Sequence, residues 1–193
     1  MKEIAKFFFE MNMLKKTPRS GFQFLGSGHE SVAEHISQTM FIGYVLCKLE
    51  TEADESKVMK MCLFHDLPEA RTGDMNYVNK KYVVVDEKKA IDDLTADLFF
   101  GSEMRNTLEE FNGRETMESR LAHDADQLAL LLQLKESDDL GNKYCQDWIA
   151  FVLKRLCTNA GRQMAQSILE TDSTDWWFTD KGDWWISANK EPP

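Results

Sequence analysis

The chain has 193 residues, of which 42% are hydrophobic and 29% charged, and its formal net charge is −10. That length suits one soluble domain, able to bury about 70% of the surface its unfolded chain exposes. The acidic balance argues against a nucleic-acid polymer or an anionic membrane as main partner, because such partners select basic faces. A small phosphorylated substrate stays compatible, since a bound cation and one or two arginines can supply local positive charge.

The four cysteines, Cys47, Cys62, Cys145 and Cys157, have no CxxC spacing and lie mostly in apolar helical runs. They read as free thiols of a reducing, cytoplasmic setting. The N-terminal segment has neither the charge order nor the cleavage site of a signal peptide. No apolar run reaches the roughly 18 residues needed to span a membrane. With only 10 Gly and 4 Pro, the chain has few breakers, which favours long helices.

In chain order, residues 1–15 form an amphipathic helix with Ile4, Phe7, Phe8, Met11 and Leu14 on one side. A loop follows from Thr17 to Gly28. Ser31 with Glu34 is a capping box, opening a helix to about Leu49 with Val32, His35, Thr39, Ile42, Val45, Leu46 and Leu49 at helical spacing. A helix from Glu55 to Leu67 ends near Pro68, and irregular chain covers Thr72 to Val85. Asp86–Phe100, Ser102–Phe111, Thr116–Glu136, Asn142–Cys157 and Asn159–Thr171 are further helices. The fold class is all-α, one compact domain over 1–171 with a Trp-rich extension over 172–193. That extension carries Trp176-Trp177 and Trp184-Trp185 around a Lys-Gly pair. It suits a short hairpin covering an apolar patch or subunit interface, or alternatively a base-stacking wall.

Chemistry concentrates in three segments. His65-Asp66 closes an apolar helix, where a charged Asp is costly to bury without a partner. A divalent metal satisfies both side chains together, and imidazole with carboxylate suits Mn, Co, Fe or Zn. Glu69, four residues after His65, lies on the same face if the helical turn continues. His35 sits on the inner face of its helix, where a lone histidine would read as a hydrogen-bonded core residue. Asp126 follows Ala122 and precedes Ala129 and Leu130 on the most apolar helix, so it needs a cation or donors there. Asp124 should point elsewhere, and His29 and His123 take surface or supporting positions.

Taken together, Ser31–His35, then His65, Asp66, Glu69 and Asp74, then Ala125, Asp126 and Leu128 resemble the H…HD…D pattern of the HD superfamily. The resemblance is close to one branch, the YfbR-type 5′-deoxynucleotidases and their HD-domain relatives, with Arg19, Gly21 and Phe22 preceding the pattern. That resemblance implies one divalent ion held by His35, His65, Asp66 and Asp126. It implies acid–base roles for Glu69 and Asp74, phosphate binding by Arg19, and a homodimer. Phe22 and Arg71 are further candidate substrate contacts; for Arg71 a salt bridge to Glu34 or Asp74 competes. The bacterial nucleotidases carry Trp directly after the arginine, where this chain has Ser20.

The implied reaction is hydrolysis of nucleoside 5′-monophosphates. The alternatives are a triphosphate, cyclic nucleotide or ppGpp substrate, or a non-catalytic binding module. Lys80, Lys81, Lys88 and Lys89 would favour a more highly phosphorylated substrate if they lined the pocket.

Overall fold

Ten α-helices form within residues 1–178, the part of the chain described by the computed structural model. They are α1 (Lys2–Met11), α2 (Phe22–Leu25), α3 (Val32–Leu49), α4 (Glu55–Phe64), α5 (Glu69–Thr72), α6 (Glu87–Thr95), α7 (Gly101–Gly113), α8 (Met117–Asp139), α9 (Cys145–Arg155) and α10 (Asn159–Glu170). Among the described residues the only β pairing is a bridge between Pro18 and Ser31. The all-α expectation therefore holds. Trp184-Trp185 and the hairpin turn lie outside the described residues; Trp176 is exposed.

Five of the longer helices start on a side chain that accepts an otherwise orphaned backbone N–H, whereas α1, α7 and α9 have no such cap. Ser31 and Glu34 form the complete capping box of α3, while Asp54, Asp86, Thr116 and Thr158 cap α4, α6, α8 and α10. Helices α3 and α8 form the central pair, flanked by α4, α9 and α10. Leu121, Leu128, Leu131 and Leu134 of α8 are fully buried among them. Each such leucine contributes about 1.5–3 kcal/mol relative to an exposed one. A second apolar cluster joins Leu14, Val32, Ile36, Leu67, Leu94, Leu98 and Met104. Helix α3 serves both clusters, Val32 and Ile36 on one and Ile42 and Leu46 on the other. His35, directly before Ile36, is wholly buried.

Several expectations are corrected in detail. Helix α1 stops at Met11 rather than residue 15, and Phe8 is exposed. Phe7 instead packs edge-on against Phe100 at 5.9 Å. Val45 and Leu49 face outward while Ile36, Gly43 and Cys47 face inward, because α3 packs on neighbours at both ends and its buried face is broad. Cys47, Cys62 and Cys145 are buried free thiols as anticipated, and Cys157 is half-buried.

One packing contact ties α8 to the start of α10. Asp124, fully buried, accepts from Cys157 N (2.6 Å), Thr158 N (2.8 Å) and Thr158 Oγ1 (2.6 Å). Gly161 passes so close that a Cβ there would stand 2.7 Å from Asp124 Cγ. Gly161→Ala is therefore expected to displace the carboxylate and lower stability by about 1–3 kcal/mol, the usual cost of overpacking. A thermal melt within a degree of the parent would refute this.

Candidate metal centre

The residues singled out by sequence arrive from four helices or turns. His35 closes the first turn of α3. His65 is the residue at which α4 ends, and Asp66 follows in the turn that leads to α5. Asp126 lies on α8, about two and a half turns beyond its capped start. His35 Nε2 is 3.0 Å from Asp126 Oδ1 and 3.4 Å from His65 Nε2. Asp66 Oδ2 is 3.3 Å from His65 Nε2 and 3.6 Å from His35 Nε2. Ligand atoms of His35, His65 and Asp126 all fall within 4.8 Å of one another. Asp66 stands at the edge of that cluster because its Oδ2 also accepts from Arg19 Nη1 at 3.2 Å.

The donor set fits a divalent transition metal. The ring N–H of His65 Nδ1 must donate to the Cys62 carbonyl, 2.9 Å away, because a carbonyl only accepts. In the neutral ring that leaves the Nε2 lone pair aimed at the cluster, and such a backbone bond orients metal-binding histidines. His35 Nδ1 is buried with no hydrogen-bond partner. Two lone-pair nitrogens and carboxylate oxygens meeting in a buried pocket are costly without a shared cation.

The charges reinforce this. Burial alone would raise Asp66, yet His65, Arg19 and His35 hold its carboxyl well below the usual range. Burial likewise opposes ionisation of Asp126, and hydrogen bonding and charge from His35, with His65, outweigh it. Burial lowers His35, with Arg19 adding to the effect. Glu69, at the start of α5, has a buried Oε2 with no partner. Burial, then the charges of Asp66 and Asp74, push its carboxyl up to about 9. A dication beside it would favour the ionised form.

Above the cluster opens a cavity of about 410 Å³, within the range of small-molecule sites. Arg19, Phe22, Asp66, Glu69, Asp74 and Asp126 all line it. Arg19 is not an exposed loop residue: besides Asp66 it faces Asp74 Oδ1 at 3.7 Å and Glu30 Oε2 at 3.9 Å. Asp74 Oδ2 accepts from Ser20 N (2.5 Å) and Ser20 Oγ (2.9 Å). Asp74 thereby clasps the loop that carries Arg19.

Arg71 requires correction. It pairs with Glu10 of α1, Nη2 to Oε2 at 3.0 Å, and faces Asp93 at 3.8 Å. It is not among the residues lining the cavity. Neither Glu34 nor Asp74 is its partner, because the one-turn helix α5 directs positions 69 and 71 to different sides. Of the four lysines, only Lys80 lines the cavity; Lys88 and Lys89 pair with Asp92 and Asp93 on α6. His123 stacks on Phe111, ring centroids 3.9 Å apart, away from the cavity, and His29 is exposed. Trp176 and Trp177 do not line the cavity either.

Sequence reasoning missed Glu30, Gln127 and Arg155. Glu30 is buried 3.9 Å from His35 Nδ1, and burial pushes it up to about 7. Its signal was its place immediately before the capping box, where an acid has no helical reason to be inward. Gln127 Nε2 donates to Asp126 Oδ2 at 2.8 Å.

An all-helical fold with a His/Asp cluster joined from three segments defines a candidate metal centre. The chain matches the HD domain family model over residues 11–168, and it belongs to that family. Among its relatives, the 5′-deoxynucleotidase HDDC2 of Dictyostelium discoideum is 32% identical over 150 residues, covering 70% of this chain and 78% of that protein. The protein of the same name from Danio rerio is 27% identical over 149 residues, covering 74% of each. A conserved hypothetical protein from Pyrococcus furiosus has a structure similar to this one, with a TM-score of 0.73 and 25% identity, covering 86% of this chain and 99% of that one.

Proposed function

We propose that the chain is a metal-dependent phosphomonoesterase that hydrolyses nucleoside 5′-monophosphates, deoxyribonucleotides foremost, to nucleoside and phosphate. The observation that carries this reading is the meeting of His35, His65, Asp66 and Asp126 beneath a cavity that also holds an unpartnered buried carboxyl, Glu69. The relatives named 5′-deoxynucleotidase support the substrate class.

In this reading the four side chains hold one Mn, Co, Fe or Zn ion. Such an ion, when bound, lowers the pKa of a water and polarises the phosphate. Arg19, anchored by Asp66 and clasped through Ser20 by Asp74, offers its guanidinium fork to the phosphate oxygens. Glu69 takes a proton from the attacking water and returns one to the departing 5′-alkoxide as the P–O bond breaks. Asp74 acts through the Arg19 loop, since both its oxygens face that loop. Phe22 and Leu130 are apolar residues of the cavity lining, against which a nucleoside would lie.

A homodimer and a cytoplasmic setting complete the reading. The outer face of α3 carries exposed Phe41, Tyr44 and Val45 at helical spacing, an apolar surface suited to a second copy. The free thiols agree with a reducing compartment. No helix among the described residues is long and apolar enough to cross a membrane.

The test is phosphate release from ribo- and deoxyribonucleoside mono-, di- and triphosphates. Metal-stripped protein would be resupplied separately with Mn, Co, Zn, Fe or Mg, beside an Asp66→Ala control. Metal-dependent release confined to 5′-monophosphates and lost in the control is expected. Release from triphosphates alone would move the assignment to Lys80 and a polyphosphate substrate, and silence throughout would sink it.

A further inference from the structure

Arg155 is the arginine that makes no hydrogen bond or ion pair with any described residue. Arg19 and Arg71 pair with acids, as does Arg105 with Asp92 at 3.1 Å; Arg114, Arg120 and Arg162 donate to His123 or to backbone carbonyls. Arg155 ends α9, half-buried, with its Nε fully enclosed and unsatisfied. In a chain of net charge −10, a cation with no acid beside it is out of pattern. Burial lowers its affinity for the proton and no neighbouring carboxylate offsets that. A helix C-terminus does favour a cation, but the exposed Lys154 supplies one without desolvation. Arg155 instead lines the cavity that Asp66 and Asp126 also line.

Its surroundings are aromatic. The guanidinium lies over the Tyr77 ring, 5.3 Å from its centroid, which fixes the fork against a flat face. Tyr77 meets Trp148 edge-on at 6.5 Å. Trp148 in turn abuts Gly21, where a Cβ would stand 3.3 Å from the indole. Gly21 is two residues from Arg19, so one wall runs from the phosphate end of the cavity to Arg155. An aromatic wall with apolar Leu130 and Leu134 nearby suits a base better than a second phosphate. An arginine fork with free terminal nitrogens matches two adjacent acceptors, the arrangement that guanine O6 and N7 present and adenine does not.

We propose that Arg155 is a specificity-determining residue that donates to O6 and N7 of a guanine held along Tyr77 and Trp148. This rests on the nucleotidase reading for the class of substrate, and it adds a preference for guanine over adenine.

The experiment uses isothermal titration of dGMP, dAMP and deoxyribose 5-phosphate into Mn-supplied protein carrying Glu69→Gln to prevent turnover. It is repeated with Arg155→Met and with Arg155→Lys added, each checked by thermal melt. The expected result is binding of dGMP about tenfold tighter than dAMP, the size of one bidentate arginine contact. In Arg155→Met that preference should fall to about twofold or less, with deoxyribose 5-phosphate unmoved. Arg155→Lys, which keeps the charge but not the fork, should leave the preference lost. Equal binding of the two nucleotides before substitution overturns the proposal. So does a loss of dGMP and deoxyribose 5-phosphate by the same factor, or no binding of any of the three. A guanine preference in binding, with no hydrolysis by the Glu69 protein, would leave this inference standing and remove the nucleotidase reading. Hydrolysis without base preference would do the reverse.

Discussion

Glu69→Gln is expected to cut the turnover number by at least about 100-fold, the usual contribution of a positioned acid–base group, while metal content stays at the parent level. Glu69 lies outside the cluster of atoms within 4.8 Å of one another that His35, His65 and Asp126 form. Its Oε2 makes no bond to any described residue, so amide replacement breaks no described contact of that oxygen. Glutamine keeps the shape but can neither ionise nor exchange a carboxyl proton. The burial that holds the carboxyl at about 9 without a cation also isolates it from competing solvent bases. The measurement pairs steady-state phosphate release with metal analysis of the same sample. Unchanged turnover would mean that Glu69 handles no proton and would favour a binding module. Lost metal would mean that it is a ligand.

The second large effect falls on stability, away from the chemistry. Asp124→Ala is expected to destabilise the fold by about 3–5 kcal/mol. Each charged hydrogen bond removed is worth roughly 1.5–3 kcal/mol, and two buried backbone N–H groups would be left without acceptors. For a chain of this size that corresponds to a fall in Tm of about 10 °C. Asp124→Asn, which keeps one acceptor oxygen but points an NH2 at donors, should recover only part of the loss. The groups concerned are Cys157 N, Thr158 N and Thr158 Oγ1, which begin α10. Thermal melts of both variants decide it, and a shift below about 2 °C would show that water replaces the carboxylate there.

Asp124 and Asp126 also mark the limit of what local sequence reveals. Both sit on α8 two residues apart, and helical periodicity separates their directions. That reading held: Asp126 faces the His cluster and Asp124 faces α10. The capping box at Ser31 was equally legible, because its two residues lie within one turn and their bonds are local. The all-helical class followed from spacing and scarce breakers for the same reason.

What the sequence by itself determined was the set of longer helices, though not the one-turn helices α2 and α5, the chemical kinds of the candidate ligands, and the family pattern they share. The partners were decided by tertiary structure. His35 and Asp126 are 91 residues apart, and their 3.0 Å approach depends on how α3 packs on α8. Arg71 looked like an active-site residue by proximity in sequence and was taken by Glu10, 61 residues away. Glu30 stands out only weakly, by its place before the capping box, until its burial is visible; Arg155 carries no motif and stands out only once its enclosed, unpartnered Nε is seen. Phe8 was assigned inward by periodicity, yet no neighbouring helix covers it. The physical reason is common to these cases. A helix is specified by bonds to residues three or four positions away, whereas the cost of a buried charge is settled by whichever groups the packing of distant helices brings to it.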